Sequence, residues 1–149
     1  MQPIAVPIKR LAHGQDIDLP AYQSEHAAGM DLHAAVEGDL VIEPGAIALV
    51  PCGFAMAVPV GYEAQIRPRS GLATRHGISM PNSPGTVDAD YRGEVKVPLI
   101  NLGTRAFTVT RNMRIAQMLI KPVFLAQWET VEHLPPSQRG EGGFGHTGR

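Results

Sequence analysis

The sequence has no second cysteine, no surplus of basic side chains and no long apolar segment free of Pro and Gly. A lone Cys52 excludes an internal disulfide and a Cys-x-x-Cys zinc or redox pair. In its apolar surround we expect Cys52 to be a small buried residue rather than a nucleophile. The 13 basic and 14 acidic side chains, for a net charge of -1, argue against broad electrostatic capture of nucleic acid. Any phosphate-binding site must therefore depend on a few side chains at one place rather than on a broad basic surface.

The longest apolar run does not predict a membrane crossing. Residues 44–62 carry no charge, but three prolines and three glycines interrupt them, so they cannot form one continuous helix. The first ten residues lack the apolar segment of a signal peptide, and their two prolines would break a targeting helix. With the single cysteine, these features predict a cytoplasmic protein with no membrane partner.

Turn-forming residues are abundant and predict an all-β fold. The chain of 149 residues contains 16 Gly and 13 Pro, a share well above the average of about 12%. Few windows remain for a helix, whereas short apolar segments recur between turns at nearly regular spacing. This pattern is typical of a jelly-roll-like β-sandwich. We expect strands near 3–10, 30–35, 39–43, 46–50, 53–58, 62–67, 95–99, 107–110 and 115–120, with 46–50 and 115–120 buried on both faces.

The C-terminal residues differ in composition from the rest. After Pro135-Pro136 the chain is rich in glycine and has one large apolar side chain, Phe144. We expect a β-sandwich domain over residues 1–136 and a mobile tail over 137–149 that closes over a ligand.

Two segments carry groups suited to a phosphorylated ligand. Arg67-Pro68-Arg69-Ser70-Gly71-Leu72-Ala73 offers guanidinium and hydroxyl donors and a glycine that lets backbone N–H groups approach an anion. A solvated turn explains this segment equally well. The segment from Pro81 to Glu94 contains Asp88 and Asp90, of which one could act as a general base for water. A segment of this kind is, taken alone, more often a turn than an active site. Its occurrence together with the arginine segment favours an active site.

Two weaker signals complete the set. Asp31 follows a glycine and lies among apolar residues, where it could help to hold a hydrated Mg²⁺. In the tail, Arg139 could meet a terminal phosphate and Phe144 could stack on a base. The six histidines show no zinc spacing. Neither a Walker sequence nor a Gly-x-Gly-x-x-Gly turn is present, which excludes the usual nucleotide-binding folds.

These four segments, with Arg114-Ile115-Ala116-Gln117-Met118, closely resemble the five ordered motifs of the trimeric dUTPases. The resemblance runs from Ala28 to Thr147 and is highly specific in combination. It implies a jelly-roll subunit, a homotrimer with sites at subunit interfaces, and Mg²⁺-dependent hydrolysis of dUTP to dUMP and pyrophosphate. Such an enzyme keeps uracil out of DNA and supplies dUMP for thymidylate synthesis.

The resemblance also implies roles for individual residues. Asp88 would be the general base, Tyr91 would lie under the deoxyribose, and Asp31 would contact waters on Mg²⁺. Asn82 would read the uracil edge beside the backbone of Thr86 and Val87. The remaining substrate-binding residues implied are Arg69, Ser70, Gly71, Lys96, Gln117, Arg139, Phe144, His146 and Thr147.

Three departures from the family pattern concern His146 in place of Ser, Arg75 in place of Lys, and Asn112-Met113 in place of a Gly and acidic pair. None touches the implied base. Two alternatives stay open: a dCTP deaminase on the same fold, and a trimeric nucleotide-sensing or protein-binding module. The glycine-rich tail and the intact Asp88 and Arg139 favour the hydrolase.

Overall fold

Strands make up most of the regular structure in the computed structural model, which describes residues 3–143. Over that range the chain forms eleven β-strands, one α-helix and one 3-10 helix at Ala12–Gly14. The elements are β1 (Ile8–Arg10), β2 (Ala21–Tyr22), β3 (Met30–His33), β4 (Leu40–Ile42), β5 (Ile47–Met56), β6 (Tyr62–Pro68), α1 (Ser70–His76), β7 (Ile78–Ser79), β8 (Gly85–Val87), β9 (Glu94–Asn101), β10 (Phe107–Val109) and β11 (Arg114–Pro122).

The strands form two main antiparallel sheets and a small third one. One sheet has the order β1-β5-β9-β7, the second has the order β2-β3-β11-β6-β8, and β4 pairs with β10. All the strand pairs are antiparallel. The all-β prediction is confirmed. In the part of the chain that is described, no helix has the length and apolar character that a membrane crossing requires.

The core lies between the two main sheets because alternate residues of their strands point inward. On β9, Val95, Val97 and Leu99 are all buried, while Lys96 between them is exposed, as a half-buried strand requires. Cys52 is also buried, and burial raises the pKa of its thiol to about 12. The prediction that Cys52 is an inert core residue agrees with this.

Two sequence expectations about strands differ from the structure. Residues 46–50 and 53–58 were expected as separate strands, yet β5 runs through both, with a shift of register between Pro51 and Ala55. The expected burial of 46–50 on both faces is wrong, since Ile47 and Leu49 are 59% and 58% exposed. By contrast, β11 is buried on both faces from Ile115 to Leu119 apart from the half-buried Gln117.

The helix α1 is held in place where it ends. Gly77 has a φ of 69°, and its N–H donates to the carbonyl of Ala73 at 3.0 Å. A side chain at Gly77 would place its Cβ 2.5 Å from the backbone nitrogen of Gly103. Glycine is therefore required both by the left-handed conformation and by the close approach of the two backbones.

After β11 the chain forms neither strand nor helix through residue 143. Several large apolar side chains of this segment are exposed, Phe124, Leu125 and Trp128 by more than nine-tenths. We call residues 123–134 the arm. The predicted boundary between the sandwich domain and the tail, after residue 136, lies within this irregular stretch and stays a prediction.

Candidate functional site

A small polar cavity lies where β3, β11 and the start of α1 meet. Its volume is about 250 Å³, and we call it the arginine cavity. Five residues assigned a role from the sequence line it, namely Asp31, Arg69, Ser70, Gly71 and Gln117, together with Gln23, Gly29 and Arg114. Three motifs that are far apart in the sequence thus converge on one site, because β3 and β11 are hydrogen-bonded neighbours and β11 also pairs with β6.

Asp31 joins two arginines at the floor of the arginine cavity. Its Oδ1 accepts a hydrogen bond from Nε of Arg69 and its Oδ2 accepts one from Nη1 of Arg114, each at 3.1 Å. Arg69 also donates from Nη1 to the carbonyl of Arg114 at 3.3 Å. The Asp31 side chain is only 12% exposed, whereas the Arg69 and Arg114 side chains are 26% and 47% exposed. The carboxylate is buried and the guanidiniums face solvent.

Gln117 forms another wall of the cavity. It lies opposite Asp31 on β3 and opposite Arg67 on β6, and its Nε2 donates to the carbonyl of Pro68 at 3.0 Å. A Cβ at Gly29 would come within 2.7 Å of the Gln117 Oε1. The glycine of the Asp31 motif therefore leaves room for this amide.

Arg114 also lines the arginine cavity, although its motif in the sequence predicts no individual role for it. Strict alternation places residues 114 and 117 on opposite faces of a strand. In the structure the register of β11 shifts between Arg114 and Ala116, which adds one residue and brings both side chains to the cavity. Ile115 and Ala116 are consequently both buried.

His33 is a buried histidine close to the same group of charges. It is 7% exposed, and its Nδ1 has no hydrogen-bond partner among the described residues. Burial lowers the pKa of His33, although the carboxylates of Asp18 and Asp31 oppose the effect. A neutral imidazole in this position adds no positive charge to the two arginines.

The second predicted segment lies away from the arginine cavity. On β8, Gly85 pairs with Ile66 and Val87 with Ala64 of β6, so the chain moves away from Arg69 as it goes towards Asp88. By register, Val87 lies three residues from Arg67, about 10 Å along the strands, and β8 is two strands from β11, about 10 Å across the sheet. Asn82, Thr86, Val87, Asp88 and Tyr91 are not among the residues that line the cavity.

Asp88 and Tyr91 lie in a turn rather than on a strand. The backbone N–H of Tyr91 donates to the carbonyl of Asp88 at 3.2 Å, and both residues are exposed. The phenol of Tyr91 donates to the carbonyl of Glu94 at 3.0 Å, which holds its ring over Gly93. Tyr91 thus presents a fixed aromatic surface beside Asp88.

Lys96 lies in the other sheet and is linked to this turn through Glu94. Its Nζ is 3.8 Å from Oε2 of Glu94, whose Oε1 contacts Nε2 of His13 at 2.7 Å and accepts from the Gly53 N–H at 3.0 Å. Lys96 does not line the arginine cavity. It is a neighbour of the Tyr91 turn.

The tail is described only in part. Arg139 is exposed and donates from Nε to the carbonyl of Gly142 at 2.6 Å. Phe144, His146 and Thr147, which the sequence assigns to the ligand-closing tail, lie outside the described residues.

Two of the three departures noted in the sequence have a place in the structure. Arg75 lines a separate cavity of about 520 Å³ near the end of α1. Asn112 adopts a φ of 61°, a conformation that Gly and Asn tolerate best. Its side chain accepts from the Asp18 N–H and donates to the Asp18 carboxylate, both at 3.0 Å. Asn112 therefore serves the turn without touching the site.

An antiparallel β-sandwich that gathers arginine, hydroxyl and amide donors in one cavity has a site whose chemistry suits a phosphorylated ligand. Residues 15–148 match the model of the dUTPase family, and the chain belongs to that family. Among relatives, it is 59% identical to the deoxyuridine 5'-triphosphate nucleotidohydrolase of Rhizobium etli (93% of this chain, 90% of that one) and 55% identical to that of Syntrophotalea carbinolica (99% of each).

Solved structures agree on the fold. A dUTPase mutant of Staphylococcus bacteriophage 80alpha with dUpNHpp superimposes with a TM-score of 0.83 over 97% of this chain and 99% of that one, at 23% identity. A mutant dUTPase of phage phi11, described with a structural Mg(II) ion, superimposes with a TM-score of 0.77 over 87% of this chain and 98% of that one, at 18% identity. The jelly-roll fold predicted from the sequence is confirmed.

Proposed function

We propose that this chain, a dUTP diphosphatase by family, hydrolyses dUTP to dUMP and pyrophosphate through water that Asp88 deprotonates for attack on the α-phosphorus. The observation that carries the proposal is the arginine cavity. Arg69 and Arg114 supply charged donors for phosphate oxygens, and Ser70, Gly71 and Gln117 add neutral donors. Asp88 is exposed and so accessible to water.

The reaction requires two copies of the chain. The phosphate donors and Asp88 lie at separate places beside the second sheet, because Asp88 follows the end of β8 and β8 runs away from Arg69. A general base must come within hydrogen-bond reach of the attacking water, or one water further. A site that contains both groups is complete if Asp88 of one copy faces the arginine cavity of another, as in a homotrimer with three interface sites.

The arm supports assembly. Phe124, Leu125 and Trp128 are 92%, 93% and 91% exposed in the single chain. Contiguous exposed apolar side chains mark surfaces that pack against a partner. Burying them against a second copy would remove this apolar surface from water, which favours the homotrimer over the monomer.

Nucleotide selection follows from the turn beside Asp88. Tyr91 offers its ring to the deoxyribose, where a ribose 2'-hydroxyl has no room, and Asn82 with the backbone of Thr86 and Val87 reads the uracil edge. Arg69, Ser70, Gly71 and Gln117 bind the triphosphate. The tail closes the site, with Arg139 on phosphate, Phe144 on the base, and His146 and Thr147 beside them. Lys96 acts through the same turn.

Mg²⁺ is the proposed cofactor, and its donor set fits a weakly held ion. Among residues 3–143, no three His, Cys, Asp or Glu side chains are grouped to hold a metal. Asp31 is the one acidic side chain that lines the arginine cavity. An ion carried by the triphosphate and water, with Asp31 contacting the water, suits this chemistry. When bound, Mg²⁺ neutralises charge that develops on the phosphates.

In the cell this reaction would keep uracil out of DNA and supply dUMP for thymidylate synthesis. Incubation with dUTP and Mg²⁺ tests the proposal against its alternatives. Release of pyrophosphate with dUMP supports the hydrolase. Ammonia released from dCTP would show a deaminase, and binding without turnover would show a nucleotide-sensing module.

A further inference from the structure

A carboxylate in a phosphate-binding cavity needs an explanation. Asp31 lines the arginine cavity, and its negative charge would repel a triphosphate. Contact with water on Mg²⁺ would account for Asp31 only when the metal is present. The structure offers a second account, because both carboxylate oxygens of Asp31 accept hydrogen bonds from guanidiniums.

We propose that Asp31 is a positioning residue that holds Arg69 and Arg114 in the geometry that binds phosphate, and that it does so without metal. This inference rests on the proposed function and assigns Asp31 a role separate from any contact with hydrated Mg²⁺. One carboxylate orients two arginines that come from different elements, Arg114 from β11 and Arg69 from the junction of β6 and α1, and that would otherwise repel each other.

The geometry carries this inference in three ways. Asp31 is buried while the guanidiniums are half-buried or exposed, so its charge stabilises the arginines from below and leaves their outer donors for the ligand. The Arg69 Nε is used by Asp31 and its Nη1 by the carbonyl of Arg114, which leaves Nη2 unused among the described residues. The two distances of 3.1 Å are those of formed hydrogen bonds.

The pairing of the strands explains why Arg69 and Arg114 both reach Asp31. Asp31 lies opposite Gln117 on β11, and the register shift that follows Arg114 brings its side chain back to the same face. Arg69 immediately follows β6, the other neighbour of β11. Two flexible side chains, one at the start of β11 and one just after the neighbouring β6, are thus fixed by one acceptor, which lowers the conformational entropy lost when phosphate binds.

The inference and the metal-only role predict opposite results for Asp31→Asn in the absence of metal. If Asp31 only contacts hydrated Mg²⁺, removing its negative charge should leave the affinity for a triphosphate in EDTA unchanged or raise it. If Asp31 positions the arginines, the affinity in EDTA should fall although a repulsive charge has been removed.

The experiment measures dUpNHpp affinity by calorimetry on the full chain, in EDTA and in Mg²⁺. We expect Asp31→Asn to weaken binding about tenfold or more in both buffers. Asp39→Asn, which removes an exposed carboxylate elsewhere, should bind as the unmutated protein does. Unchanged or tighter binding by Asp31→Asn in EDTA would overturn the inference. An unmutated protein that hydrolyses no dUTP would contradict the proposed function instead.

A second comparison tests whether Asp31 and Arg114 act as one unit. Arg114→Gln keeps a donor but loses the charge, and its side chain is partly exposed, so the fold should tolerate it. It should weaken dUpNHpp binding in EDTA. The affinity of the double variant should be close to that of whichever single variant binds more weakly, because both changes break the same Asp31–Arg114 interaction. If the loss of binding free energy in the double variant equals the sum of the losses in the two single variants, the positioning role is overturned.

Discussion

At the scale of single residues, Asp88 is the proposed general base, and its position makes it well suited to a test by substitution. It is exposed in a turn, so changing it should not disturb the core. We expect Asp88→Asn to lower kcat by about 100- to 10,000-fold, because the amide cannot accept a proton. Binding of dUpNHpp should be largely retained. Turnover within a few-fold of the unmutated protein would remove Asp88 from the role of base.

Tyr91 is the residue expected to choose the sugar. Its phenol is tied to the Glu94 carbonyl, so its ring has a fixed place beside Asp88. We expect the unmutated protein to prefer dUTP strongly over UTP, and Tyr91→Ala to narrow the ratio of kcat/KM between them by raising the value for UTP. Tyr91→Phe keeps the ring and loses the hydrogen bond, which makes it the matched control. If the unmutated protein hydrolyses UTP as well as dUTP, the assignment is wrong.

At the scale of elements, hydrogen bonds join the turn between β10 and β11 to the segment before β2. Arg111 donates from Nε and Nη2 to the Asp16 carboxylate, at 2.9 and 2.5 Å, and also to the carbonyls of His13 and Val36. These hydrogen bonds lower the pKa of Asp16 to about 2. Together with Asn112 and Asp18, this contact secures the start of β11 and hence Arg114.

The contact between Arg111 and Asp16 predicts a pH dependence of the stability of the fold. A carboxyl whose pKa is lowered by folding stabilises the fold above its unfolded pKa, near 3.8, and this contribution is lost as the pH falls towards 2. The Tm of Asp16→Asn should therefore lie below that of the unmutated protein at pH 5, and the difference should shrink by pH 2. Asp39→Asn serves as the control for an exposed carboxylate. A difference in Tm that does not change with pH would contradict this role.

Elements also show which parts of the fold the sequence predicts. Long strands with alternating burial, such as β9, were predicted with few errors because several residues repeat the pattern. The two-residue strands β2 and β7 were not predicted, since two residues are too few to show the alternation of buried and exposed side chains. The role of Arg114 depends on a register shift that its neighbours in the sequence do not signal. Ile47 and Leu49 are apolar yet exposed, which composition alone predicts wrongly.

At the scale of the whole molecule, the single chain separates the groups that the proposed reaction must bring together. The motifs for phosphate converge because their strands are neighbours in one sheet, while Asp88 lies two strands away and further along. The resemblance to a family of trimers predicted sites at interfaces, and strand register supplies a physical reason for them. The exposed apolar arm is consistent with such an assembly.

Subunit complementation tests this central claim most directly. Chains with Asp88→Ala and chains with Arg69→Ala should each be inactive alone, and they are unfolded together in equal amounts and refolded as mixed assemblies. If Asp88 of one copy acts on the arginine cavity of another, some interfaces regain both residues, and random mixing should restore about one quarter of the unmutated dUTP hydrolysis. Mixed assemblies, verified by mass, that stay as inactive as either parent would contradict the account and show that each chain supplies both groups to its own site.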